Sequence, residues 1–410
     1  MAHLFRNRVF LVVAGADLLQ QAGIWIRNMA LLFYIMEQTN NNPAAVALLT
    51  TFEYLPIFVF SLIGGTFADR WNPKRTVVIG DALSAVSVLA ILGMVAAGWW
   101  QAAFAATVVS AVVSQFSQPS SAVLFKRHVP EQHVEAAIGF TQSMSALFMI
   151  IGPMVGTLVY TRLGIDWSLA ALAFVFAAAS AVQLLLPSTP RVQDGGPKTS
   201  PLKDVRDGFR YVTGHHTLKL AAAMFLLVGI SSGIVAPLDV FVIMERLGLQ
   251  KEAVQWFAML EGAGLLIGGG LAAGLSGWID RHRSRIVPWT LVIFGIGTFV
   301  EVLSLWPVLT GSVRLLTGVT MTFFQVVLSA LMIKEVEEAY IGRTNGIMLP
   351  LMMAGVLIGT GCSGLLVKQA TLFAAYGLAG ALLIVCALVA SRMRFTAPAA
   401  QSAAGSAVEG

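Results

Sequence analysis

Carboxylates stand in this chain where an apolar sequence has little use for them. Glu53 lies in "TTFEYLP", Glu261 in "MLEGAGLLIGGG", and Asp17 interrupts "VVAGADLLQQAGIWIRNMALL". A carboxylate removed from water holds a proton more tightly, so a group of this kind can load and release one near neutral pH. That is the chemistry of proton coupling, and Glu53, Glu261 and Asp17 are the candidates for it. The competing reading of each is a hydrogen-bonded or ion-paired carboxyl with a structural role.

A second polar set surrounds Asp17. At the 100° per residue of a helix, Asp17, Gln21 and Asn28 fall on one line, with Gln20 and Arg27 on another about 80° away. With Ser114 and Gln118 of a later apolar run, Gln21, Arg27 and Asn28 are candidates to line a cavity for a small molecule. Arg27 can equally be half of an internal ion pair. Trp25, Phe33, Phe148, Phe225, Phe323, Phe324 and Met149 are read chiefly as core or lipid-facing side chains.

The elements that carry these groups are membrane spans. Of 410 residues 57% are hydrophobic and 11% charged, and the mean hydropathy is +0.79, which excludes a soluble enzyme. At about 20 apolar residues per span, the chain holds roughly a dozen helices and no large soluble domain. Apolar segments run at 9–36, 45–67, 76–97, 102–124, 136–161 and 167–186, then at 217–244, 252–277, 286–307, 313–333, 344–367 and 372–391. The first is too long and too polar for a cleaved signal peptide. The expected fold is an all-α membrane protein of twelve transmembrane helices. Its domains are a six-helix bundle at 1–186, a cytoplasmic linker at 187–216, a second bundle at 217–391 and a disordered tail at 392–410.

Charge sets the orientation. With the N-terminus inside, twenty of the 26 basic residues fall on the cytoplasmic side and five, Arg162, Arg246, Lys251, Arg314 and Lys368, on the other. Both termini are therefore expected to be cytoplasmic. The net charge of +5 reflects this rule and not a nucleic-acid partner. Within the linker, Leu202, Val205, Phe209 and Val212 recur at helical spacing beside Lys203, Arg206 and Arg210, as in a helix on the inner membrane surface.

The halves echo each other. "LIGGTFADRWNPKR" has a weak counterpart in "LIGGGLAAGLSGWIDRHRSR", and Glu53 in Glu261. Two repeats related by an axis along the membrane normal place a substrate site between them near mid-membrane.

Gly65, Asp69, Arg70, Lys74 and Arg75, between the second and third segments, resemble the signature loop of the major facilitator superfamily, with Asn72 and Pro73 departing from its pattern. "PLKDVRDGFRYV" and "IGRTNGIM" resemble the branch of macrolide-efflux proteins and enterobactin-type exporters. The likeness spans the chain to about residue 395. It implies that these five loop residues form a cytoplasmic gate, with Asp69 facing the start of the eleventh helix near Arg343 to Gly346. The charge placement agrees: a carboxylate at a helix C-terminus is unfavourable by about 0.3–1 kcal/mol unless it has a partner. The plain alternative is that the loop only obeys the positive-inside rule. Gly152, Pro153 and Gly156 in "MIIGPMVGTLVY" resemble the core of the antiporter motif and suggest a kinked pivot in the fifth helix; a packing kink is the other reading.

Other polar groups are expected in lesser roles. Asp81 should pair with the basic cluster beside it, and Asp239 and Glu301 should be interfacial. Cys362 and Cys386 should be buried thiols. The six histidines fall in loops or ends, so no metal site is expected, and no phosphate-binding G-x-x-x-x-G-K-[ST] run points to ATP or another cofactor. The expectation is a monomeric secondary transporter in the cell membrane, not an enzyme. It would export amphipathic compounds against protons by alternating access; an importer or a lipid or siderophore transporter on the same scaffold is the alternative, and a non-transporting receptor a remote one.

Overall fold

The computed structural model describes residues 7–68, 72–129, 131–187, 201–336 and 340–393; within these, only the backbone is described for 61–68, 118–119, 121–122, 125–128, 131–135, 201–205, 332–335, 341–343 and 345. The described chain is helical. Its main elements are α1 (Arg8–Gln38), α2 (Pro43–Ala68), α3 (Pro73–Ala96), α4 (Ala103–His128), α5 (Glu131–Gln183), α6 (Pro201–Gly214) and α7 (His216–Val235), followed by α8 (Val254–Gly274), α9 (Ser276–Leu303), α10 (Pro307–Glu335), α11 (Ile341–Gln369) and α12 (Leu372–Ser391). Among the described residues ten helices are long and apolar enough to cross a membrane.

Local chemistry starts and stops these helices. Asn7 caps α1, its side chain accepting from the amides of Val9 and Phe10, and Thr371 caps α12 through the Ala374 amide. Asn72 accepts from the Arg75 amide and Pro73 opens α3, so the two residues that depart from the loop pattern build a helix start. The turn into α2 uses Asn40 and Asn41 at φ of 50° and 57°, a left-handed region that asparagine tolerates.

The 53-residue α5 is two arms. Gly164, at φ 75° and ψ −173°, breaks it, and the contacts show a reversal there. Before the break Gly152 and Gly156 face Trp25 and Met29 of α1; after it, Leu172 and Val175 face Gly23 of the same helix. The fifth and sixth apolar segments thus lie side by side as a hairpin against α1.

Two sequence boundaries move. α9 begins at Ser276, about three turns before the apolar run, so Arg281, Arg283 and Arg285 are helical and not in a loop. Hydropathy sees only the apolar part of a helix that extends beyond it. The seventh segment leaves regular α-geometry after Val235: a 3₁₀ turn at Ala236–Leu238 contains Pro237, and a π-turn spans Val242–Arg246. The linker run, expected to lie on the inner membrane surface, forms a helix, α6. Its Val212 joins the core of α7, α9, α10 and α12, and Tyr211 stacks on Tyr340 with ring centroids 4.2 Å apart.

One core cluster, including Phe33, Val88 and Leu172, binds α1, α3 and α5. A third joins the early and late helices: Met36 and Val46 pack with Ile234, Phe241, Leu372 and Tyr376. The polar contacts between the same helices gather at that end, where α1 stops and α2 starts. Lys251 pairs with Glu37 at 2.6 Å, Thr51 bonds Thr360 at 3.3 Å, and Ala44 lies against Gly364.

Candidate functional site

Among the described residues three polar clusters sit inside the apolar helices. The first belongs to α1 and α2. Arg27 is 4% exposed; its Nη2 reaches Glu53 Oε1 at 2.8 Å and Asn28 Oδ1 at 2.7 Å, and its Nε donates to the same Asn28 oxygen at 3.1 Å. The guanidinium is thus held from below by its neighbour on α1 and from the side by α2. A charge buried this deeply persists only when paired. The sequence pattern placed Arg27 and Asn28 on separate lines of α1, and the length of the arginine joins them.

The second cluster lies nearer the start of α1. Gln20 Nε2 and Gln183 Nε2 both donate to Asp81 Oδ2, at 2.8 and 3.0 Å. Asp17 is close enough for its charge to interact with that of Asp81, and makes no hydrogen bond or ion pair among the described residues. The expectation that Asp81 pairs with the loop cations is corrected: at 2% exposure it points inward, where two amides hold it. Gln21 turns the other way and donates to Ser145 of α5 at 2.9 Å.

The third cluster belongs to the late helices. Arg314 of α10, 8% exposed, forms a forked pair with Asp239, Nη1 to Oδ2 at 3.1 Å and Nη2 to Oδ1 at 2.7 Å. Its Nη1 also donates to Glu261 Oε2 at 3.1 Å, and its Nε lies 3.0 Å from Glu301 Oε1. Tyr376 of α12 donates to Asp239 Oδ1 at 2.9 Å. Carboxylates from three other elements therefore converge on one guanidinium, whose planar fork suits several of them at once. With all three acids ionised the group would carry an excess of two negative charges, so it can take up positive charge.

This cluster corrects three expectations. Arg314 is not an outer-side surface residue, because α10 starts at Pro307 and carries it about two turns into the helix. Asp239 and Glu301 are not interfacial; Glu301 is 4% exposed. Asp239 and Glu301 were visible as residue types within apolar segments, but nothing in the sequence tied them to Arg314 of α10.

The remaining candidates scatter. Ser114 donates to the Ala111 carbonyl at 2.8 Å, an ordinary helix back-bond, while the Gln118 side chain lies outside the described residues. Of the expected gate, Asp69 and Arg70 lie outside the described residues, Gly65 is described only as backbone of α2, and Arg75 is exposed. Lys74 donates to the carbonyls of Leu184 and Leu186, capping the end of α5 within its own half and not reaching across. Cys362 is exposed, contrary to expectation, and Cys386 buried. Trp25 and Phe33 pack as core, against Gly152 and Tyr160.

Gly156 permits close approach of α5 to α1: a Cβ there would run into the Trp25 carbonyl oxygen and the Met29 side chain. Gly156→Ala should therefore cost about 1–3 kcal/mol by overpacking and lower the melting temperature of the purified protein. Gly139→Ala, with nothing within 4 Å, should leave it unchanged or slightly raised.

The comparisons with known proteins agree with this architecture. The chain is 26% identical over 380 residues to the uncharacterized MFS-type transporter YkuC of Bacillus subtilis, covering 88% of this chain and 86% of that protein. It is 23% identical over 377 residues to macrolide efflux protein A of Streptococcus pyogenes, covering 89% and 90%. The crystal structure of a mutant of the nucleoside transporter NupG superposes with a TM-score of 0.77 at 14% identity, covering 94% of this chain and all of that one. The model of the Major Facilitator Superfamily matches residues 13–275. Apolar helices of spanning length, the shared fold and the matched family together make this a multi-pass plasma-membrane transporter, and the chain belongs to the Major Facilitator Superfamily.

Proposed function

We propose that this transporter exports amphipathic organic compounds in exchange for protons, by alternating access between two six-helix bundles at 1–186 and 217–391. The linker 187–216 joins the bundles, and both termini, including the tail 392–410, lie on the cytoplasmic side. The observation that carries the reading is the condition of Glu53 and Glu261. Each is ion-paired with an arginine, yet 27% and 39% of their side chains stay accessible. A carboxylate with one face against a cation and another open can exchange its partner for a proton, and the freed arginine can then act on cargo. Asp17, with no cation beside it among the described residues, is the third group in this scheme. The efflux proteins among the relatives favour export.

In this reading the seam of Glu37–Lys251 and Thr51–Thr360 closes the outer end, so cargo loads from the cytoplasm along Gln21, Arg27, Asn28, Ser114 and Gln118. Gly65, Asp69, Arg70, Lys74 and Arg75 would close the inner end in the opposite state, with Gly152, Pro153 and Gly156 as the pivot of α5. The test is flux of a lipophilic dye or macrolide from proteoliposomes under an imposed pH gradient. Reversing the gradient should reverse net flux in the wild type. Glu53→Gln and Glu261→Gln should each lower gradient-driven flux by about tenfold or more. Flux indifferent to the gradient and to both substitutions would reject the proposal.

A further inference from the structure

The Asp17–Asp81 cluster contains more oxygen than its hydrogen bonds use. Both amide donors, Gln20 and Gln183, serve the same oxygen of Asp81, and Asp17 has no hydrogen bond or ion pair among the described residues. Gln183 is 2% exposed, and its Oε1 has no partner. Because the nitrogen of that amide is fixed on Asp81, the unpartnered oxygen is fixed beside the same carboxylate. Ser84, one helical turn beyond Asp81 on the same face of α3, is fully buried and its Oγ is likewise unpartnered. The cluster thus presents two carboxylates, an amide oxygen and a hydroxyl, drawn from α1, α3 and the end of α5, and among the described residues no cationic side chain pairs with either acid.

Buried charges are paired with an opposite charge or hold a metal ion. An all-oxygen set selects hard cations of the sodium, magnesium and calcium kind over transition metals. Among the described residues no three His, Cys, Asp or Glu side chains gather as metal ligands; with one proton shared between the two acids, a single negative charge remains, which a singly charged ion balances. A proton would neutralise one acid and engage at most one of the two orphan oxygens, whereas a cation of ångström size can draw on all four groups.

We propose that Asp17, Asp81, Gln183 and Ser84 bind a sodium ion, about 30 Å along α1 from the seam at Glu37. The ion would compete at Asp17 with the proton exchange proposed above; the test involves no transport, so a failure of proton-driven export leaves it standing. The full chain in detergent is unfolded by heat while sodium chloride replaces choline chloride at constant ionic strength, with potassium chloride as a parallel series. Sodium should raise the melting temperature saturably by about 2–4 °C, and potassium should do so less. Asp81→Asn should abolish the rise. Ser84→Ala, a small change, should keep the fold and move the midpoint to about tenfold higher sodium, and it carries the test if Asp81→Asn does not fold. No sodium-specific rise, or the same rise in Ser84→Ala as in the wild type, overturns the proposal. Stabilisation by acid with no dependence on sodium makes the cluster a proton site and overturns it equally.

Discussion

Arg314→Met is expected to abolish transport and to lower the melting temperature of the protein more than any other single substitution in the late helices. It removes the one cation of a cluster that contains Asp239, Glu261 and Glu301, two of them within 3.0 Å of the guanidinium. Methionine fills much of the volume but answers none of the charge, and three acids are left facing each other in an apolar bundle. Breaking a buried pair by deleting one partner costs about 3–5 kcal/mol, and the partial accessibility of Asp239 and Glu261 places the expectation at the lower end. Arg314→Lys should fall between, because an ammonium restores the charge but cannot make the forked bond to Asp239. Thermal unfolding of the three proteins by tryptophan fluorescence checks the order; wild-type stability in Arg314→Met would mean that the cluster does not hold the turn at Asp239, α8, α9 and α10 together.

Charge reversal at the seam gives the second large effect, on conformation and not on stability. Lys251 joins Glu37 of α1 while Tyr160 of α5 donates to the other Glu37 oxygen at 2.7 Å, and the ammonium also lies over the Phe33 ring. Lys251→Glu sets two carboxylates against each other at the place where the early and late helices meet. Glu37 is 49% exposed, so solvent screens part of the repulsion, and a shift of about tenfold in the ratio of closed to open seam is expected. Glu37→Lys combined with Lys251→Glu restores attraction and should restore the ratio. Spin labels at Asn42 and Gln250, both exposed on either side of the seam, report that ratio as a distance distribution. An unchanged distribution in Lys251→Glu would show that the ion pair does not influence closure.

Much of this fold was legible because hydrophobic length is a strong signal. The apolar segments reappear as α1–α5 and α7–α12, the amphipathic run Leu202 to Val212 reappears in α6, and the loop motif and family likeness agree with the matched family. Charges buried within spans were legible as anomalies. Their partners were not, for a physical reason: hydropathy fixes the depth of a residue but not the face of the helix it occupies, and pairs such as Arg314–Asp239 depend on the packing of helices distant in sequence. Arg314 shows how small the margin is. Six residues of error in the start of α10 turned a buried hub into a surface residue. Gln183 went unnoticed because a glutamine at the end of an apolar run looks like the end of a span, yet it reaches the Asp81 carboxylate. Irregular backbone was the other blind spot: Pro237 breaks the seventh segment, and Asp239 follows on the turn that break creates.

The central claim is that protonation of carboxylates within the helices moves the two halves of the transporter against each other. The most direct test is the Asn42–Gln250 distance distribution in lipid nanodiscs on acidification, in the wild type and in a Glu53→Gln, Glu261→Gln double variant. The account predicts that acid shifts the wild-type populations between short and long distances and that the double variant is fixed in one distribution at every pH. Identical pH responses in the two proteins, or no response in either, would contradict it.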